Sequence, residues 1–264
     1  MTQSESNSLP DLSNLWQQTL QWQPTPQQQQ QFQQLYQQIL AGNQRLNLTR
    51  ITEPKAFWEK HLWDSLQGIS TFLDRGDQDS QTDNNGDDAA ISDKAQALRV
   101  IDIGTGAGFP GIPIAIAHPH WHVTLLDSTR KKIAFLDTLI AQLNLKNVFP
   151  LIDRAEALGQ NPQHRQRYDI ALVRAVSNAS VCAEYALPLL KIGGLAVLYR
   201  GQWSATETET LEPVLRQLGG CIEALAAFTT PLSQSQRHCL HLRKTILTPR
   251  KFPRPIGVPA QNPL

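Results

Sequence analysis

The stretch Val100-Ile101-Asp102-Ile103-Gly104-Thr105-Gly106-Ala107-Gly108-Phe109-Pro110-Gly111 constrains this chain more than any other. An apolar run ends in three glycines at alternate positions and passes into Pro110–Ala117, which reads as a helix. Glycine admits positive φ and lets the backbone approach a ligand closely. The start of a helix presents amides that no helical carbonyl satisfies. Strand, glycine turn and helix in that order open a βαβ unit, the building block of a parallel sheet.

The alternation continues to the C-terminus. After the strand Leu98–Ile103, strands are expected at His122–Asp127, Asn147–Ile152, Tyr168–Val176 and Leu195–Arg200, the last entered through Gly193-Gly194. Helices are expected at 130–144, Ala179–Leu190 and 206–218. Stretches near 221–229 and 238–247 have no helix between them and should pair antiparallel. The fold class expected is therefore α/β, a seven-strand, mainly parallel sheet with helices on both faces and an N-terminal helical extension.

Residues 17–44 carry fourteen glutamines, yet Phe32, Leu35, Tyr36, Ile39 and Leu40 fall at i, i+3, i+4, i+7 and i+8. That spacing predicts a helix with one apolar face, stopped at Gly42-Asn43. A second helix follows Thr52, with Pro54 in its first turn and Trp58, Leu62 and Leu66 as its stripe. Residues 74–97 hold seven acids against two bases and few large apolar groups, and read as a mobile acidic insertion. Their spacing fits no calcium loop, and no metal site is expected. The division expected is 1–73, 74–97 and 98–264. No apolar run is long enough to span a membrane. The first residues lack a secretory pattern, and Cys182, Cys221 and Cys239 make no paired framework. A reduced, cytoplasmic setting is expected.

Two cofactor readings of the loop compete. Gly106–Gly111 matches GxGxxG, the dinucleotide pattern. The register Asp102-x-Gly104-x-Gly106-x-Gly108 is the glycine loop of S-adenosylmethionine (SAM) methyltransferases. Asp127, ending the next strand, can accept from ribose hydroxyls in either class. Asp102 inside the turn suits a cationic head better than a pyrophosphate, and the turn Leu190–Leu195 with its following elements fits a methyltransferase sheet. SAM is the favoured reading. No cysteine follows a proline, which disfavours pyrimidine C5 as acceptor. Val173-Arg174-Ala175-Val176-Ser177 stands where exocyclic-amine enzymes carry a Pro-Pro loop. A ring nitrogen such as guanine N7 needs no deprotonation and is compatible with a site lacking a general base, so no catalytic residue is assigned. Arg174 can hold a cofactor carboxylate, a substrate phosphate or a local acid. Ala155-Glu156 lies where an adenine pocket is usual, though the Glu156 side chain reads equally well as solvated surface.

The formal net charge of +1 hides an asymmetry. Without 74–97, the chain has 22 basic and 16 acidic residues. From Ala224 to Leu264 there are Arg237, Arg243, Lys244, Arg250, Lys251 and Arg254 and no acid. Arg130, Lys131 and Lys132 form a second cluster. Such patches bind phosphate backbones through counterion release. Arg130, Lys131, Lys132, Arg237, Lys251 and Arg254 are the candidate RNA contacts.

As a set, these residues resemble the RsmG family, also called GidB. The resemblance runs from about Gly42 to the C-terminus and is carried by Asn47-Leu48-Thr49, Trp58–Leu66, Asp102–Gly111, Leu125-Leu126-Asp127-Ser128, Lys131-Lys132, Arg174-Ala175, Arg237-His238, Lys251-Phe252-Pro253-Arg254 and Asn262-Pro263-Leu264. It implies a cytoplasmic, SAM-dependent methyltransferase acting on N7 of guanosine 527 in 16S rRNA. The substrate would be free 16S rRNA or a small-subunit particle, and the enzyme would be a monomer. It implies SAM contacts from Gly104 and Phe109, ribose and adenine contacts from Asp127, Ser128 and Thr129, an adenine wall of Ala155 and Glu156, and closure by Arg174. Thr129 departs from the commoner small residue. His61 and Asp64, at i and i+3, could bond each other or touch the target nucleotide. The competing classes are an NAD-dependent oxidoreductase and a non-catalytic rRNA- or ribosome-binding protein of the same fold.

Overall fold

The structure is a computed structural model that describes residues 8–75 and 97–264. Seven strands form its sheet: β1 (Arg99–Ile103), β2 (His122–Asp127), β3 (Val148–Ile152), β4 (Tyr168–Arg174), β5 (Leu190–Arg200), β6 (Gly220–Thr229) and β7 (Gln236–Lys244). Among the described residues their order is β3-β2-β1-β4-β5-β7-β6. The first five pair parallel, and β7 runs antiparallel between β5 and β6. The antiparallel pairing of the last two strands agrees with the sequence. That β7, not β6, joins β5 has no local signal.

Successive side chains of a strand face opposite ways, so each strand serves two cores. Val100, Ile170, Leu172, Leu195 and Val197 pack on one face, beneath α5 (Gly111–Ala117), α6 (Arg130–Gln142) and the N-terminal helices. Ile101, Ile103, Ala171, Val173, Ala196 and Leu198 pack on the other, against α7 (Ala155–Gln160), α8 (Ala179–Ala186) and α9 (Ala205–Leu218). The strand expected from Leu195 instead begins at Leu190. Tyr168 pairs with Leu190 and Ile170 with Leu195, so the intervening residues, with Gly193 at φ 81°, bulge out within one strand.

The N-terminal region opens with α1 (Ser13–Leu20) and α2 (Pro26–Leu46). Thr25 and Gln28 form a reciprocal capping box at the start of α2. Phe32, Leu35, Tyr36 and Ile39 are buried, as their spacing predicts. The glutamines also bond across to the helices that cover the sheet: Gln28 donates to the Ile116 carbonyl in α5 at 2.9 Å and Gln31 to that of Leu143, at the end of α6, at 3.1 Å. The expected stop at Gly42 is displaced. The helix runs to Leu46 and ends on Asn47 at φ 47°. A Cβ on Gly42 would lie 2.4 Å from the Phe135 ring, so this glycine serves a close helix contact.

The second N-terminal helix is composite: α3 (Pro54–Phe57), a π-helical turn over Trp58–Trp63, and α4 (Asp64–Gln67), followed by a 3₁₀ turn over Ser70–Arg75. Trp58, Leu62 and Leu66 are buried as expected. The acidic segment assigned to 74–97 lies, except at its ends, outside the described residues. Among the described residues no helix is long and apolar enough to cross a membrane.

Leu35 is fully buried in the core shared by α2 and the sheet. Leu35→Ala is expected to lower the unfolding free energy by about 3 kcal/mol, read as a shifted urea midpoint in fluorescence and circular dichroism together.

Candidate functional site

Asp102 ends β1 with no exposed surface. Its Oδ2 accepts from the Thr105 hydroxyl at 2.6 Å and from the Gly111 amide at 2.8 Å. One carboxylate oxygen thus ties the strand to its glycine loop and to the first turn of α5. A Cβ on Gly111 would lie 2.8 Å from that oxygen, so only glycine permits the contact. Burial pushes the Asp102 carboxyl up to about 6 against these bonds, and its Oδ1 has no partner. Gly104 and Thr105 donate to the Leu126 carbonyl at 2.8 and 3.0 Å, which pins the loop beside the end of β2.

Asp127 completes that end. Its Oδ2 accepts from the Gly106 amide at 3.0 Å, its Oδ1 from the Thr129 amide at 2.8 Å, and Lys132 Nζ lies 3.7 Å away. Gly106 holds φ 60° in open space, so backbone geometry and not crowding demands the glycine here.

A cleft of about 350 Å³ opens over these strand ends. Gly104, Asp127, Ser128, Thr129, Ala155 and Glu156 all line it. The volume lies within the usual range for small-ligand sites. Phe109 and Arg174 do not line it. They meet in an adjoining cluster built on the π-helical turn. The Phe109 ring stacks on His61 with centroids 4.3 Å apart, and the Arg174 guanidinium lies 5.7 Å from the same ring. Arg174 Nη1 donates to the Lys60 carbonyl at 3.0 Å and to Asp64 at 3.2 Å. Its Nη2 faces His61 Nδ1 at 3.5 Å.

His61 and Asp64 therefore do not pair with each other: Asp64 takes Arg174. His61 Nδ1 faces a cation, so Nε2 carries the proton and donates to the Thr49 hydroxyl at 2.8 Å. Burial, then Arg174 and Lys60, lower the His61 pKa to about 3. Burial raises the Asp64 carboxyl, opposed by Arg174 and Arg237.

Glu156 is buried, not solvated. Its Oε1 accepts from the Gly257 amide at 3.0 Å and from the Tyr185 hydroxyl at 3.3 Å. The cleft also takes in the Ala175–Ser177 stretch that follows β4, together with Tyr185 and Ala260, which the sequence did not single out. Ala175 sits at φ 56°, and a non-glycine residue there leaves no local signature.

The basic candidates separate. Arg130, Lys131 and Lys251 are exposed, and Arg237 is half-buried. Lys132 lines the cleft beside Asp127. Arg254 pairs with Glu184, whose carboxylate lies 2.7 Å from Nη2. Arg243 pairs with Glu223, and Lys244 is buried on the Leu190 carbonyl. Two cations of the acid-free stretch from Ala224, Arg243 and Arg254, thus meet acids through the fold. Among the described residues no cluster could hold a metal ion.

The residues present fit SAM. Asp102 Oδ1 is a buried carboxylate oxygen without a partner, and Asp127 lines the cleft with a carboxylate able to accept from ribose hydroxyls. They do not suit a dinucleotide. A pyrophosphate would need the first amides of α5, and the Asp102 carboxylate already holds one of them.

Comparison with known proteins identifies the family. A family model described as GidB, rRNA small subunit methyltransferase G, matches residues 28–83 and 88–239. A protein of Trichormus variabilis named ribosomal RNA small subunit methyltransferase G is 56% identical over 259 residues, covering 98% of this chain and 100% of its own. One of the same name from Trichodesmium erythraeum is 51% identical over 264 residues, covering 100% of this chain and 98% of its own.

His61 is neutral when folded, with a pKa of about 3, and takes a proton near 6.5 when unfolded. The unfolded state binds more protons between those values, so stability falls as pH drops from 6.5. His61→Gln is expected to flatten the dependence of the unfolding free energy on pH between 6.5 and 3, with the share of His118, lowered to about 4, remaining. Urea titrations across that range measure the slope.

Proposed function

The chain belongs to the rRNA small subunit methyltransferase G (GidB) family, and from that membership we propose that it transfers a methyl group from SAM to N7 of guanosine 527 in 16S rRNA. The observation that supports the cofactor reading is Asp102: a buried carboxylate takes up the Gly111 amide, one of the donors a dinucleotide's pyrophosphate would use.

Gly104 and the Asp127–Thr129 turn would hold the ribose side, and Ala155 and Glu156 would form the adenine wall. Phe109 would back the glycine loop. Bound SAM supplies an electrophilic methyl carbon for direct displacement, so the protein's task is alignment. Guanine N7 offers a lone pair and carries no proton, and no side chain has to remove one. The cluster beside the cleft agrees with that requirement. His61 is neutral with both ring nitrogens engaged, and Asp64 is held by Arg174. Arg174 keeps N–H groups beyond those given to Lys60, Asp64 and His61, and these suit a carboxylate or phosphate oxygen at the edge of the cleft.

The rRNA is proposed to lie across exposed Arg130, Lys131 and Lys251, with Arg237 nearer the acceptor. An enzyme with this substrate works in the cytoplasm. Whether it takes free rRNA or an assembling particle is a choice that the same assay makes.

Labelled SAM is incubated with small-subunit rRNA, or with particles, from cells lacking the protein, and the modified base is mapped. Label at N7 of guanosine 527 is expected. Label elsewhere, or SAM binding without transfer, refutes the assignment. Asp127→Ala is expected to weaken SAM binding by roughly tenfold or more in calorimetry. Charge reversal at Lys131 and Lys251 is expected to lower the slope of log affinity against log salt by about 0.7 per lost phosphate contact.

A further inference from the structure

The chain beyond β7 is bound down by groups that a solvated tail would not need. Arg165 donates to the carbonyls of Thr248 and Phe252 at 2.8 and 2.7 Å, and Gln160 to that of Pro253 at 2.7 Å. Glu184, on α8, has no exposed surface. It accepts from the Arg254 amide at 2.8 Å, from Nε at 3.0 Å and from Nη2 at 2.7 Å. Three residues on, the Gly257 amide meets Glu156 at 3.0 Å. The chain then enters α10 (Val258–Gln261), where Ala260 lines the cleft together with Glu156 and Tyr185.

A carboxylate withdrawn from water is costly unless it is paired and fully bonded. Arg254 supplies both side-chain and backbone donors to Glu184, so the ion pair fixes the path of the chain as well as neutralising the charge. The second carboxylate, Glu156, takes hold where that path reaches the cleft. The two together set where Ala260 stands.

We propose that residues 248–261 are a fixed wall on the adenine side of the cleft, and that Glu184 and Arg254 are positioning residues for cofactor binding; this rests on reading the cleft as a SAM site. The segment that looks in sequence like a basic RNA-binding tail is then part of the cofactor site. Its arginine acts inward, through Glu184, and not on phosphate.

The test compares the full chain with Arg254→Ala and Ala260→Phe. Three quantities are read: SAM affinity by calorimetry, hydrogen exchange over residues 248–261, and the salt dependence of rRNA binding. Arg254→Ala is expected to speed exchange in the segment and raise the SAM Kd by about tenfold or more, with the rRNA salt slope unchanged. Ala260→Phe is expected to raise the SAM Kd with exchange still slow, because an added ring on an exposed position fills the cleft without freeing the wall. Released exchange with unaltered SAM affinity overturns the proposal. So does a reduced salt slope at unaltered SAM affinity, which would return Arg254 to the RNA. Where Arg254→Ala fails to fold, Ala260→Phe decides: unchanged SAM affinity overturns the wall. No SAM binding by the unaltered chain overturns the cofactor reading along with this inference, whereas unchanged affinity in the variants overturns this inference alone.

Discussion

The carboxylate of Asp102 is the interaction on which the cleft depends. It stands at the end of a strand buried on both faces, where water cannot satisfy it. It is tolerated because Thr105 and Gly111 bring donors to it. Those two bonds set the spacing between β1 and α5, and the glycine loop has one path across the gap. Once that path is set, Gly106 presents its amide to Asp127, and the ends of β1 and β2 become a single surface. The same carboxylate takes up the Gly111 amide, one of the first donors of α5.

The π-helical turn over Trp58–Trp63 performs a corresponding task beside the cleft. A wider turn changes which side chains share a face. It sends Glu59 to the amides of Leu232 and Ser233, at the loop between β6 and β7. It sends His61 onto Phe109 and leaves the Lys60 carbonyl and Asp64 facing Arg174. Three distant parts of the sheet are thereby located by one turn of an N-terminal helix. The region before β1 is built into the same core as the sheet, which is why a methyltransferase-like sheet alone would leave Arg174 without its partners.

Legibility varied with the range of the interaction involved. The strands and helices after Leu98 follow from short apolar runs and period-3.6 apolar spacing, because burial within and against a sheet imposes those patterns locally. Gly42 misled because glycine is a frequent helix stop, and its reason here, the ring of Phe135, is more than 90 residues away. The π turn has no composition of its own. The partners of Glu156 and Arg254 were not legible for another reason: charged residues are usually solvated, and only the fold supplies Gly257 and Glu184 to receive them.

By itself the sequence determined the α/β class, the glycine loop with Asp102 and Asp127 at the two strand ends, and the family. Each of these is written in neighbouring residues, where backbone sterics and strand periodicity act over a few positions. The tertiary structure alone decided which charges are free and which are spent. It turned Asp64 to Arg174 and not to His61, folded Arg243 and Arg254 onto Glu223 and Glu184, and brought Ala260 into the cleft. Charge pairing depends on distance in space and on loss of water, and neither is encoded by separation along the chain.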